Sequence, residues 1–162
     1  MAKNNKNQPG TDEMMQQPPY ENRNIITTRI FDTPVAQMYK AWSNAAIIAR
    51  WWGPKGFTNT IHKFEFVPGG TWTLTMHDSN NRPYDNQWTF EEIAAEERLI
   101  IDHTSEPKFK AIVTFENIDT NKTRLTYRMQ FATAQQCEAV KAYAPAANEQ
   151  KFDKLEDILE KI

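Results

Sequence analysis

Between Thr71 and Phe131 large apolar side chains recur at every second position, in runs separated by turn-forming residues. Trp72, Leu74 and Met76 fall on one side of such a run, as do Trp88 with Phe90, Leu99 with Ile101 and His103, Ala111 with Val113 and Phe115, and Leu125 with Tyr127, Met129 and Phe131. A period of two puts alternate residues on the same face of a strand, so each run predicts a β-strand with one apolar face. The intervening Thr71, Thr73, Thr75, Gln87, Thr89, Arg124, Thr126, Arg128 and Gln130 are polar, the pattern of an antiparallel sheet wetted on one side. Turn signals at Pro68-Gly69-Gly70, Asp78-Ser79-Asn80-Asn81, Glu96-Glu97, Glu106-Pro107 and Asp119-Thr120-Asn121-Lys122 divide the chain beyond Gly56 into six consecutive strands.

Upstream, the β-branched stretch from Asn24 to Phe31 predicts a first strand. Thr33-Pro34 then offers a hydroxyl N-cap and a proline at the first helical position, and Val35, Met38, Tyr39 and Trp42 follow at helical spacing. Ser43-Asn44 interrupts that spacing and caps a second short helix carrying Ile47, Ile48, Trp51 and Trp52, ended by Gly53-Pro54. Near the C-terminus Thr133 with Gln136 has the form of a capping box. Pro145 opens a longer amphipathic helix through Phe152, Leu155, Ile158, Leu159 and Ile162. Charges from Lys151 to Lys161 alternate in sign at helical spacing, which predicts a solvated outer face with i,i+4 pairs. The order β-α-α-β-β-β-β-β-β-α predicts an α+β helix-grip, in which a curved seven-stranded antiparallel sheet wraps around the C-terminal helix.

Composition narrows the functional classes. The 162 residues suit one domain, expected over 23–162, preceded by a flexible Asn-, Gln- and Pro-rich tail over 1–22. With 19 basic and 21 acidic residues the net charge is -2, which gives no electrostatic footprint for nucleic acid or an anionic membrane. The single cysteine, Cys137, suits a reducing compartment and reads as an inert buried thiol. No apolar h-region lies within Met1 to Gly10, and no run of about 18 apolar residues occurs, so a cytoplasmic location is the expectation.

The adjacent indoles of Trp51 and Trp52 and the aromatic sheet face raise two readings, ordinary core packing or the wall of a ligand cavity of about 300 Å3 or more. The candidate ligand-binding set is Trp52, Trp72, Leu74, Met76, Trp88, Phe90, His103, Val113, Tyr127 and Met129, with the Trp51-Trp52-Gly53-Pro54 segment closing one mouth. The ligand class is a small apolar, aromatic or lipid-like molecule. Burial of His103 would lower its pKa, and Tyr127, with its hydroxyl at the cavity rim, could orient a carbonyl, with Glu65 or Asp102 as a base if either turned inward. The spacing of His62, His77 and His103 gives no metal site, and no cofactor motif is present. Ser105, His103 and Asp102 are rejected as a nucleophilic triad because neighbouring strand residues point to opposite faces.

Taken in order, Arg29-Ile30-Phe31-Asp32-Thr33-Pro34, Ala41-Trp42, Arg50-Trp51-Trp52-Gly53-Pro54, Pro68-Gly69-Gly70-Thr71-Trp72, Met76-His77, Glu97-Arg98-Leu99, Asp102-His103 and Thr123-Arg124-Leu125-Thr126 resemble the activator of heat-shock protein 90 ATPase homologue-like family of the START-like (SRPBCC) superfamily. The resemblance spans about residues 24 to 162. It implies a helix-grip with an apolar ligand between sheet and last helix, and, as alternatives, a stress-related co-chaperone with a chaperone partner or a cyclase- or hydrolase-like enzyme. Two departures stand out. Glu65-Phe66-Val67-Pro68 lacks one of the polar groups that often precede the Pro-Gly-Gly turn, and Ala147-Asn148-Glu149-Gln150-Lys151-Phe152 replaces a Gly-Trp pair that often opens the last helix.

Overall fold

A computed structural model describes residues 21–162; of the flexible tail expected over 1–22, residues 1–20 lie outside the described residues, and Glu21 and Asn22 belong to a short helical turn. After a short turn at Glu21–Arg23 come β1 (Asn24–Phe31), α1 (Val35–Ser43) and α2 (Ala45–Trp51). They are followed by β2 (Thr58–Phe64), β3 (Thr71–His77), β4 (Pro83–Ala94), β5 (Arg98–His103), β6 (Phe109–Asp119) and β7 (Lys122–Gln130), then α3 (Ala134–Lys141) and α4 (Ala144–Leu159). The seven strands form one antiparallel sheet in the order β1-β7-β6-β5-β4-β3-β2. The predicted alternation is therefore the register of the sheet. It aligns Trp72 with Trp88, Trp88 with His103 and His103 with Phe109, and on the adjoining strands it pairs Val113 with Tyr127 and Ala111 with Met129. The inner face carries a row of rings: Trp72 and Trp88 stack at 5.6 Å, and Phe109 meets Trp88 edge-on at 5.5 Å.

Helix α4 lies against this face, burying Phe152, Leu155, Ile158 and Leu159. Each such side chain contributes roughly 1.5–3 kcal/mol by leaving water. Its charged flank is used between elements. Arg29 of β1 meets Glu149 at 2.8 Å, Asp153 at 3.0 Å and Glu156 at 3.5 Å. The charge run was expected to be spent on i,i+4 pairs along a solvated face. Instead its acids clamp the helix to the edge strand, and two of its lysines, described below, turn inward.

Helix ends follow the sequence signals with one exception. Asn44 caps α2 by accepting from the Ile47 backbone N–H at 3.1 Å, and Thr133 caps α3 by accepting from Gln136 N–H at 3.1 Å. Thr33 was expected to cap α1, but the cap position falls on Pro34, whose carbonyl accepts from Met38 N–H. The Thr33 carbonyl is held by the Thr123 hydroxyl at 2.8 Å, which ties the start of α1 to β7. Because the Asn44 cap satisfies one orphan donor at the start of a helix of only seven residues, Asn44→Ala is expected to cost about 1 kcal/mol in urea unfolding, with Asn44→Ser recovering most of it.

The Pro68-Gly69-Gly70 turn is specified by its glycines. Gly69 adopts φ +84, which strains any residue with a side chain, and a Cβ on Gly70 would collide with the Glu65 carbonyl oxygen, so Gly70 accepts none without moving the β2–β3 connection.

Candidate ligand cavity

Between the inner face of the sheet and α4 lies a cavity of about 190 Å3. Its walls come from every layer of the fold: Trp52, Gly53 and Pro54 after α2, Met76 of β3, Asn86 and Trp88 of β4, His103 of β5, Tyr127 and Met129 of β7, and Ala144, Ala147, Asn148 and Lys151 of α4. The exposed Tyr143, at the corner between α3 and α4, also contributes. Six of the ten expected residues line it: Trp52, Met76, Trp88, His103, Tyr127 and Met129. Trp72, Leu74, Phe90 and Val113 do not; each is at most 1% exposed and packs into the solid core. The cavity is smaller than the 300 Å3 expected, because Trp52 contacts both Trp72 and Trp88 edge-on and fills much of the concavity.

The Trp-Trp-Gly-Pro segment divides its two indoles between different tasks. Trp51 is fully buried against Trp42, with ring centroids 4.8 Å apart, and its Nε1–H donates to the Ala41 carbonyl in the last turn of α1 at 3.0 Å. Trp52, one residue beyond the helix in extended conformation, turns its ring toward the cavity. Its backbone is fixed from α4: the Lys154 ammonium donates to the carbonyls of Trp52 at 3.1 Å, Gly53 at 3.3 Å, Pro54 at 3.4 Å and Phe57 at 3.1 Å. The ammonium thus gathers the carbonyls of the turn that follows α2, and a cation just beyond a helix C-terminus is also favoured by the helix dipole. Burial lowers the Lys154 pKa.

Lys151 is the principal residue that the sequence reading missed. It was assigned to a solvated face, yet it is 5% exposed, with Nζ 4.1 Å from the centre of the Trp52 ring and 3.7 Å from that of Tyr127. It forms no hydrogen bond or ion pair with any described residue. Aromatic faces attract a cation, but they do not replace a counter-ion or a hydrogen-bond acceptor. Desolvation, with a smaller contribution from the nearby Lys154 charge, pushes the amine down to about 7. A signal for this placement does exist. Running the apolar stripe of α4 backward from Ile158 and Leu155 by alternate steps of three and four lands on Lys151, Asn148 and Ala144, all of them buried.

His103 is satisfied on both nitrogens. Nδ1 lies 2.6 Å from the Pro107 carbonyl oxygen, which can only accept, so Nδ1 carries a proton. Nε2 is 3.2 Å from the Ser105 hydroxyl, which can donate to a neutral ring, and 2.6 Å from the Asn86 side-chain oxygen, an acceptor whose amide NH2 is engaged with the Tyr84 carbonyl. Burial, the largest influence, lowers its pKa as expected. The Ser105 contact corrects the sequence argument: residues two apart share a face, so serine and histidine do meet. Asp102 nevertheless lies on the other face, paired in register with Lys110, and a backbone carbonyl occupies Nδ1 where a triad would need its acid.

Tyr127, expected at the rim, is 2% exposed, and burial raises its hydroxyl pKa. Asn148 donates to the Met129 thioether at 3.4 Å. Glu65 accepts from the Thr71 backbone N–H, and neither Glu65 nor Asp102 lines the cavity. Cys137 is buried, and burial raises its thiol pKa. Among the described residues no three metal-ligating side chains converge.

A sheet that grips its last helix over an aromatic cavity defines a START-like helix-grip protein. The family model described as "Activator of Hsp90 ATPase homolog 1-like protein" matches residues 32–160, and the chain belongs to that family. Solved structures with the same fold include a protein from Nitrosomonas europaea, with TM-score 0.80, 18% identity and coverage of 90% of this chain and 99% of that one. Another, from Arthrobacter aurescens, has TM-score 0.80, 21% identity and 88% coverage of both chains. The AHSA1 protein of Silicibacter pomeroyi has TM-score 0.68 and 14% identity, covering 85% of this chain and 97% of that one. No curated protein matches. Among the described residues no helix is long and apolar enough to cross a membrane.

Proposed function

We propose that this domain is a binding module that takes up one small apolar or aromatic molecule between the sheet and α4. The observation that carries the reading is the cavity itself, about 190 Å3 of space walled by Trp52, Trp88, Tyr127 and two adaptable methionines and bounded on α4 by Ala144 and Ala147. An apolar cavity of about 150 Å3 is enough for benzene, so the space suits one ring with a small substituent and is too small for an extended lipid. The single cysteine supports a reducing, cytoplasmic setting.

Toluene titrated into the protein and followed by ligand-observed NMR should receive saturation from the aromatic protons of the cavity. Ala147→Leu, which fills the space from the helix side, should abolish the transfer without unfolding the domain. No transfer at millimolar toluene, or transfer undiminished by the filling substitution, would remove the reading.

The family description favours a second reading, contact with a chaperone ATPase. Stimulation of the cognate ATPase by the full chain is its test, and an unchanged hydrolysis rate sinks it. A cyclase- or hydrolase-like activity has weaker support, since His103 and Tyr127 border the cavity without a carboxylate beside them.

A further inference from the structure

A buried amine without a partner is an incomplete arrangement. Proteins pair their buried charges, and a lone ammonium in an apolar wall lacks the acceptors that water supplied in the unfolded chain. Lys151 has two aromatic faces on one side and the cavity on the other. The polar groups that share the space are donors or neutral: the Tyr127 hydroxyl, which hydrogen-bonds to no described residue, the Asn148 and Asn86 amides, and the imidazole of His103. Among the described residues no aspartate or glutamate lines it.

We infer that the cavity is built for a small aromatic monocarboxylate, whose ring packs among Trp52, Trp88 and the methionines while its carboxylate pairs with the Lys151 ammonium and accepts from the Tyr127 hydroxyl. This rests on the cavity-binding reading and adds the charge of the ligand to it. The position of Lys151 on α4 supports the assignment. Ala144 and Ala147, on the same face of the helix, leave room beside the amine where larger residues would close it. Because burial holds the free amine at about 7, ligand-free protein at alkaline pH keeps it largely neutral, and carboxylate binding there must bring in a proton. The other titratable groups around the amine are Tyr127 on β7, His103 on β5, Lys154 on α4 and Tyr143 at the α3–α4 corner, and no described carboxylate is among them.

Benzoate, benzamide and toluene, titrated calorimetrically into the full chain and into Lys151→Met, separate the possibilities. The wild-type protein should bind benzoate about 10- to 100-fold more tightly than benzamide, the scale of one desolvated charge pair. Lys151→Met should lose that preference while still binding toluene. At pH 8.5, titrations in two buffers of different ionisation enthalpy should reveal uptake approaching about one proton per benzoate bound by the wild type, a readout that does not depend on the variant folding. If toluene and benzamide bind but benzoate has no advantage or brings no proton, the anion assignment is overturned and the apolar cavity stands. If none of the three binds, both fall.

Discussion

Lys151→Met should melt several degrees higher than the wild-type protein at pH 7, the reverse of what truncating a buried residue usually does. The amine titrates near 10.5 in an unfolded chain and is pushed down to about 7 in the fold. The drop means that folding free energy on the order of a few kcal/mol is lost while the group is charged. A net gain of about 2–3 kcal/mol on removing the charge is therefore expected, or roughly 4–12 °C for a domain of this size. The sign of the pH dependence follows. Between about pH 7 and 10.5 the unfolded chain binds more protons at this position than the native one, so wild-type stability rises with pH across that window. Below pH 7 the amine is protonated in both states and contributes no slope. Lys151→Met should flatten the rise without erasing it, because burial also lowers the Lys154 pKa. Urea unfolding at pH 7 and pH 9 measures both effects. A variant that is less stable at pH 7 and keeps the full slope would show that the amine is not desolvated as described. Higher stability with loss of benzoate selectivity would mark Lys151 as a residue kept for binding at a cost to the fold.

Trp51→Ala should be among the most damaging single substitutions in the domain, costing about 3–5 kcal/mol. Its ring is fully buried between Trp42 and Trp52, and no neighbouring loop is free to collapse into the space, since Lys154 pins the adjoining carbonyls from α4. The indole also serves as a cap. Its N–H satisfies the Ala41 carbonyl at the end of α1, so deletion adds an unpaired backbone acceptor to the cavity it leaves. Trp51→Phe separates the two contributions: it keeps most of the packing, loses the hydrogen bond, and should cost about 1–2 kcal/mol for that bond, with a smaller packing loss beside it. Thermal and urea denaturation of the pair measure this. A loss below about 1 kcal/mol for the alanine variant would contradict the packing described.

The strand alternation was legible because strand geometry is local: a period of two follows from the backbone, and Trp72, Trp88, His103 and Tyr127 fall on the inner face wherever the strands lie. The Asn44 and Thr133 caps were legible for the same reason. Thr33 misled because its signal is shared, and here its carbonyl is held by the long-range Thr123 contact instead of its hydroxyl capping α1. Of the inner-face residues, alternation could not separate those facing empty space from those facing a neighbour. Trp72 is enclosed by Trp52, Phe64, Phe90 and Trp88, whereas Trp88 keeps a side beside the cavity.

Lys151 shows the limit most clearly. Alternating charges on a helix are usually solvated, and the acids of this run do reach the surface, where they hold Arg29. The lysines at 151 and 154 point the other way because the width of the buried stripe depends on how deeply α4 sinks into the sheet's curvature. That depth comes from the register of seven strands and from the indoles opposite. The fold, the family and the aromatic character of the inner face are written in local periodicities and turn residues that any reading of the chain recovers. The cavity's size, its walls and the unpaired amine within it are set by contacts between residues as far apart as Trp52 and Lys151, because volume and desolvation are properties of packed neighbours rather than of a segment.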